Sequence, residues 1–446
     1  MKRKILSFVF LLLVALSGNS QFVLKPLNYQ VSGDYYSPSY YSIVDEDQVW
    51  LGTKHYTSSG PGTYTFAVHT NDGGDTWIFD SIPVPGQPNI CNVSAVDASN
   101  VFYVFVDDWS NGSVWKTTDG GASWTQKTTN QFQGGFADFY HAFNASEGVA
   151  VGDPNGGYFE IYTTADGGDS WERVDSSEIP APLPGEMGLT DGFSSFGDNI
   201  WFASNIGRCF KSTDRGHQWT VSTVAEMYGQ CDVAFSGLQY GVFFDYGPPG
   251  TKIFYKTADG GTTWTADSLS DKDMIGHMSS VGGFDGGFVI AAYSPTTYMT
   301  KVYFTPDFFS NIAVLDSNLR AVPMGLSFKD ATTGWLCGGG RDTNAIFKYT
   351  GMLTSIFNAA NAPGKLSIMP NPSSADALVK LPGSHDTKPL QLRVIDMSGK
   401  ELEKQHIVSS TGWTKLNASG YMNGIYLVEI RSGDQCIAIE RWIVSH

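Results

Sequence analysis

Residues 164–171 read TADGGDSW, and the pattern behind that string, Ser/Thr-x-Asp-x-Gly-x-x-Trp, returns along the chain. It stands as TNDGGDTW at 70–77, TTDGGASW at 117–124, STDRGHQW at 212–219 and TADGGTTW at 257–264. The aspartates, Asp72, Asp119, Asp166, Asp214 and Asp259, are 47, 47, 48 and 45 residues apart. A sixth, eroded copy follows 48 residues later at Thr305 and Asp307, where Phe309 and Ile312 replace the glycine and the tryptophan. A period of roughly 20–50 residues marks a repeat architecture, in which each unit buries its apolar face only against its neighbours.

Each box reads as a β-hairpin turn. The carboxylate accepts hydrogen bonds from amides of its own turn, and the glycines take backbone angles that other residues resist. The tryptophans, Trp77, Trp124, Trp171, Trp219 and Trp264, then anchor the outgoing strand. Upstream of each box lies an apolar strand: VWLG (49–52), VFYVF (101–105), GVAVG (148–152), IWFA (200–203), GVFF (241–244) and GFVIA (287–291), with a seventh copy, GWLCG, at 334–338. Turn residues around each copy leave room for four short strands, the sheet of one propeller blade. The fold class expected is therefore all-β, a seven-bladed propeller over 21–356. The seventh unit stops at IFKYTGML (346–353) without a box, while FVLKPLNY (22–29) is a lone strand ahead of the first unit. That strand is expected to complete blade seven and leave the ring without a raw edge.

The flanks carry the address. Lys2, Arg3 and Lys4 precede an apolar run from Ile5 to Leu16 and the small or polar residues 17–20, the plan of a signal peptide over 1–20. Its apolar stretch is shorter than the roughly 20 residues of a membrane helix, and no later stretch is long enough, so no transmembrane segment is expected after cleavage. The formal charge of −16 becomes −19 once the three basic residues of that leader are gone, which repels phosphate backbones and argues against nucleic acid. Cys91, Cys209, Cys231, Cys337 and Cys436 show no zinc spacing; Cys209 and Cys231, the closest pair, read equally as a disulfide or as two buried thiols.

After a small-residue linker at 357–364 the repeat ends, and 365–446 shows the short alternating runs of a small Ig-like β-sandwich. The segment carries Pro370-Asn371-Pro372, then Asp396 with Gly399 and Lys400, then Gly424 and Tyr426, then a strand to the C-terminus. It resembles the type A sorting domain of the type IX secretion system. That resemblance implies the secretion machinery as partner, passage through periplasm and outer membrane, and a cargo released or held at the cell surface.

The boxes resemble those of two groups, the sialidase and glycosidase propellers and, more closely, the photosystem II assembly-factor propellers. The resemblance implies peripheral, structural boxes and imports little function, because the fold hosts enzymes and scaffolds alike. Propeller ligands sit at one mouth of the channel, among the loops entering each inner strand and those joining second to third strands. Trp109, Tyr140, His141, Arg208, Asp245, Tyr246, His277, Arg341 and Asp342 lie in those loops here and are the candidate ligand contacts. Aromatic faces beside fixed polar groups suit a glycan or an extended peptide.

Sialidase chemistry needs three arginines converging on a carboxylate. With Arg173 and Arg215 tied to boxes, only Arg208, Arg320 and Arg341 remain in the propeller, and an Arg-Ile-Pro signature is absent. A two-carboxylate glycosidase has candidates in Asp138, Asp153, Asp191 and Asp245, in numbers that single out no pair. No histidine pair has metal-ligand spacing, and no phosphate loop, nucleophile elbow or dinucleotide fold appears, so no catalytic residue, metal or cofactor is assigned. The expectation is an exported module that binds a glycan or a protein, with a secreted glycoside hydrolase of sialidase-like type as the alternative.

Overall fold

A computed structural model describes residues 21–27, 35–57, 60–61, 66–86, 88–107, 111–226, 229, 231–245, 253–269, 273–339, 344–354, 364–381, 390–396, 401–407, 412–432 and 435–446. The expected leader at 1–20 and most of the linker lie outside them. Among the described residues the only helical pieces are two 3-10 turns, Ser176–Glu178 and Ala418–Gly420.

Seven antiparallel sheets follow one another as blades, among the described residues six of four strands and one, the first, with an added two-residue strand. Their inner strands are Tyr35–Ile43, Asn89–Ala95, Ala137–Ala142, Phe193–Phe196, Cys231–Ser236, Met274–Ser280 and Val322–Phe328. The seven apolar runs of the sequence are the second strands. They are almost wholly buried because both of their faces meet a neighbouring blade, so they read as continuous apolar runs and not as alternation. In blade seven the outer strand is Phe22–Leu24, paired antiparallel with Asn344–Tyr349 through Phe22↔Tyr349 and Leu24↔Phe347. Phe22 is buried against Phe328 and Tyr349, at ring separations of 6.4 and 5.3 Å.

The box turns repeat the same bonds. Thr70 Oγ1 donates to Asp72 Oδ1 (2.8 Å) and accepts the amide of Gly74 (2.8 Å); the amide and hydroxyl of Thr76 donate to the two carboxylate oxygens (2.8 and 2.6 Å). Asp119, Asp166 and Asp259 take equivalent bonds, and Asp214 takes those from Ser212 Oγ and the amide of Gln218, which carries no hydroxyl. Thr76 holds the Asp72 carboxyl down to about 2, and Ser170 does the same for Asp166. The eroded copy keeps the turn: Asn311 donates its amide to Asp307 (2.8 Å), and Phe308 and Phe309 adopt φ of 53° and 67°, where the other boxes use glycine or, at the first of the two positions in the fourth box, Arg215.

The turns also join blades. Lys116, the residue before the second box, reaches the third and donates to Gly167 O (3.3 Å) and Ala145 O (3.2 Å). Trp201 Nε1 donates to Gly260 O of the next box (3.0 Å). Trp171 and Trp264 donate backwards, to Lys127 O and Ser222 Oγ of the preceding blades, each at 3.0 Å. The tryptophans thus sit at the seams between blades as well as beside their own strands.

A second ring of contacts lies inside. Opposite the second residue of each apolar run, or the third in blade six, the inner strands carry Ser42, Ser94, His141, Ser194, Ala234, Ser279 and Ser327. Four of these serines accept the amide of the next blade's inner strand: Ala95 to Ser42, Ala142 to Ser94, Phe235 to Ser194 and Phe328 to Ser279, at 2.8–3.1 Å. Buried amides that no ladder can satisfy find partners in this way.

Cys91, Cys209, Cys231 and Cys337 are buried and form no disulfide among the described residues, so Cys209 and Cys231 stand as separate thiols. The C-terminal unit is a sandwich of a five-stranded and a three-stranded sheet around Leu392, Val428, Ile430 and Trp442. Asn371 grips its last strand, accepting from Ile443 N and donating to Arg441 O, both at 2.7 Å. Pro370 and Pro372 flank that grip; Tyr426 packs on Trp442, and Gly424 pairs with Val444. Asp396 ends the strand Leu390–Ile395, and Gly399 and Lys400 lie outside the described residues.

Replacing Phe22 by Ala should cost about 3–5 kcal/mol, the usual penalty for emptying a buried phenylalanine site. Urea unfolding read at the midpoint checks it; an unchanged midpoint would mean that Phe22–Leu24 does not close the ring.

Candidate functional site

The inner strands enclose a cavity of about 1250 Å³. Its wall is made from their second halves and the turns that follow, and one end is crossed by residues 189–192. Strand alternation decides which side chains face it. In Ala137–Ala142, His141 lines the cavity and Tyr140 points the other way, wholly buried between Phe102 and Trp171 at 4.5 and 5.8 Å. Tyr140 therefore does not stand at the mouth, contrary to the sequence expectation.

His277 lines the cavity too, and burial pushes both imidazoles down to about 4, so they are neutral at physiological pH. The wall is otherwise hydroxyl-rich, with Ser42, Ser94, Ser194, Ser279 and Ser327, interrupted by Tyr40, Phe193, Phe235 and Phe284. Lys329 is the one cationic side chain in the described lining.

Arg208 is the second correction. Its guanidinium donates to Glu186 Oε2 (2.6 Å) and Ala181 O (3.3 Å) with both side chains buried, so it anchors the connection from blade three to blade four instead of facing a ligand. Arg173 covers the Tyr158 ring at 4.2 Å, Arg215 pairs with Glu147 and Asp198, and Arg320 is exposed after the outer strand of blade six. With Arg208 committed, three arginines do not converge among the described residues. Asp245 ends the second strand of blade five, half-buried opposite Cys231. Trp109, Tyr246, Arg341 and Asp342 lie outside the described residues.

What sequence reasoning missed is the crossing segment itself. Asp191 Oδ1 accepts from Asn92 Nδ2 of blade two (2.8 Å), and the amide of Gly188 donates to Asp153 Oδ1 of blade three (2.8 Å). Tyr40 of blade one reaches Thr190 Oγ1 at 3.5 Å. Burial pushes Asp191 up to about 8, with Asp232 adding to the shift, and pushes Asp153 up to about 6. Nothing local announces these pairs, since Asn92 and Asp191 are 99 positions apart.

Residues 367–445 match the family described as secretion system C-terminal sorting domain. The C-terminal unit is a secretion-system sorting domain. It marks the chain for export by type IX secretion, to the cell surface or the medium. Residues 79–239 match the family described as photosynthesis system II assembly factor YCF48. The chain is 26% identical over 253 residues to the photosystem II assembly lipoprotein Ycf48 of Synechococcus sp. (strain CC9902), covering 54% of this chain and 66% of that protein. It is 24% identical over 269 residues to a xyloglucanase of a Paenibacillus species, covering 50% of this chain and 25% of that protein. The chain thus spans about two thirds and about a quarter of these curated relatives. Among solved structures, YCF48 bound to D1 peptide aligns with a TM-score of 0.53 at 14% identity, over 73% of this chain and 99% of that one. YCF48 from Cyanidioschyzon merolae gives 0.52 at 14%, over 74% and 98%. At such identity the likeness shows the fold alone, a β-propeller, now joined to a sorting domain.

Glu186→Ala should destabilise the chain by about 3–5 kcal/mol, because it strands the buried Arg208 charge, while Glu186→Leu with Arg208→Met should recover most of the loss. Chemical denaturation of both variants checks this; equal losses would deny the pair its anchoring role.

Proposed function

We propose that the propeller is an exported recognition module whose central cavity binds an uncharged, hydroxyl-rich chain, a glycan segment. The cavity carries the reading: about 1250 Å³ of half-open space with hydroxyls, aromatic faces and two neutral imidazoles in its wall. Sites for small ligands combine apolar and aromatic faces with a few fixed polar groups and have volumes of roughly 300–1000 Å³, so this cavity has room for more than a single small ring. A polyanion would find one cation, Lys329, in that wall, and an uncharged chain sacrifices no ion hydration on entry. The similarity to a xyloglucanase supports a sugar over other neutral ligands.

The hydrolase alternative rests on that same similarity. A glycosidase needs one carboxylic acid within reach of the glycosidic oxygen. Asp138, raised well above the usual carboxylate range by burial and by the neighbouring Asp153, is 1% exposed and sealed from any substrate. Asp191, raised by burial to about 8, lines the cavity with Asp232 and is the carboxyl a hydrolase would use; its Oδ1 is held by Asn92 (2.8 Å), and binding without turnover is the preferred reading.

The full exported chain, presented to an array of neutral polysaccharides and of peptides, should retain neutral glycans and release no sugar. His277→Ala should weaken that binding by roughly tenfold, the worth of about one good hydrogen bond, and Arg173→Ala, outside the cavity, should leave it unchanged. Released sugar would make the chain a hydrolase. Retention of peptides alone would overturn the glycan reading.

A further inference from the structure

Among the described residues the cavity is closed at one end and open at the other. The closed end is the crossing part of the connection from blade three to blade four, and it is fastened to each blade it meets. Asn92 of blade two donates to Asp191 Oδ1 (2.8 Å), the amide of Gly188 donates to Asp153 Oδ1 of blade three (2.8 Å), and the amide of Ala203 in blade four donates to Gly192 O (2.9 Å). Tyr40 of blade one stands 3.5 Å from Thr190 Oγ1, and Leu189 packs on the buried cluster of Trp201, Cys231 and Val233 in blades four and five. Next along the chain, Asn205 holds Gly185 and Met187 by bonds of 2.9–3.1 Å, and Arg208 holds Glu186. The cavity stops at this floor: residues 89–90, 137–139 and 274–275, which begin the inner strands of blades two, three and six, line no part of it.

The open end is bounded by the turns that leave the inner strands. Those of blades four to seven bring Phe196, Leu238, Phe284 and Lys329 to the wall, whereas in blades one to three the lining ends with the strands themselves, at Ser42, Ala95 and Ala142. Phe196 and Leu238, on adjacent blades, are 49% and 52% exposed, and among the described residues they are the exposed large apolar side chains of these turns. The ammonium of Lys329 donates to Val44 O of blade one. Apolar faces at a mouth suit the C–H face of a sugar ring, which can cover them while its hydroxyls stay hydrated at the ring edge.

A site for the inside of a polymer needs two exits, because the chain must leave as well as enter. A floored cavity with one mouth lacks the second. We propose that the cavity receives the end of a glycan chain, threaded in past Phe196 and Leu238, with residues 188–192 as the stop beneath the terminal ring. The inference rests on the reading of the cavity as a glycan site and adds which part of the polymer is recognised. At about 1250 Å³, above the roughly 300–1000 Å³ of small-ligand sites, the cavity takes more than the terminal ring alone.

Linear neutral glucans, mannans and xylans, each prepared at two lengths about tenfold apart, separate the two modes, because internal sites multiply with length and ends do not. With the full exported chain in excess, light scattering should count the same small number of copies per polymer at both lengths, at most one per end. Phe196→Ala and Leu238→Ala should each weaken that binding about three- to tenfold, and Ile78→Ala, which removes an exposed apolar side chain from the outer strand of blade one, should leave it unchanged. Copies rising in proportion to polymer length would overturn end recognition and leave the glycan reading in place. Rim variants that bind like the parent chain would overturn entry by this mouth. Retention of no glycan at either length would sink both readings.

Discussion

Everything in the ring hangs on the Thr-x-Asp turn. A four-stranded blade has two apolar faces and cannot bury either alone, so its stability comes from neighbours. The turn solves the local problem by folding a carboxylate back on its own amides, as in Asp72 with Thr76. That fold points carbonyl oxygens outward, and the neighbouring blade takes them: Gly167 O meets Lys116, and Gly260 O meets Trp201. One eight-residue string thereby sets the hairpin, the packing of its tryptophan and the spacing between blades. The eroded sixth box shows what is indispensable, since Asp307 and the left-handed backbone survive while glycine and tryptophan do not.

The inner ring depends on this outer one. Once blades are set at a fixed spacing, the inner strands come close enough for a serine to accept an amide from the next blade, as Ser42 does from Ala95. Where His141 replaces serine, its ring instead lies against Phe193 of the next blade, 5.6 Å between centroids. The channel wall is therefore polar for a structural reason first, and the proposed binding of a hydroxyl-rich ligand would draw on that polarity.

Blade number, the second strands and the closing strand were legible in the sequence because each is signalled within a few residues: a box, an apolar run, a lone strand. The site was less legible. Tyr140 and His141 are adjacent, and only the ring decides which one faces the channel. Arg208 looked available because Glu186, its partner, lies 22 positions upstream in a segment without a motif. The sequence does hold two further signals: a serine opposite five of the seven apolar runs, and a basic residue immediately before several boxes, at Lys116, Lys211 and Lys256. The crossing turn offered nothing comparable, since its partners come from blades that only the closed circle brings opposite.

The seam in blade seven bears on how the chain carries load. Gln21 O accepts the amide of Thr350, so the propeller's first and last residues leave from the same edge of one blade. A pull transmitted through the sorting domain would enter the ring at Asn344–Tyr349, which is held by Phe22–Leu24 on one side and Gly334–Gly339 on the other. The shorter of the two ladders, three residues at Phe22–Leu24, is the one whose loss would turn a closed ring into an open array.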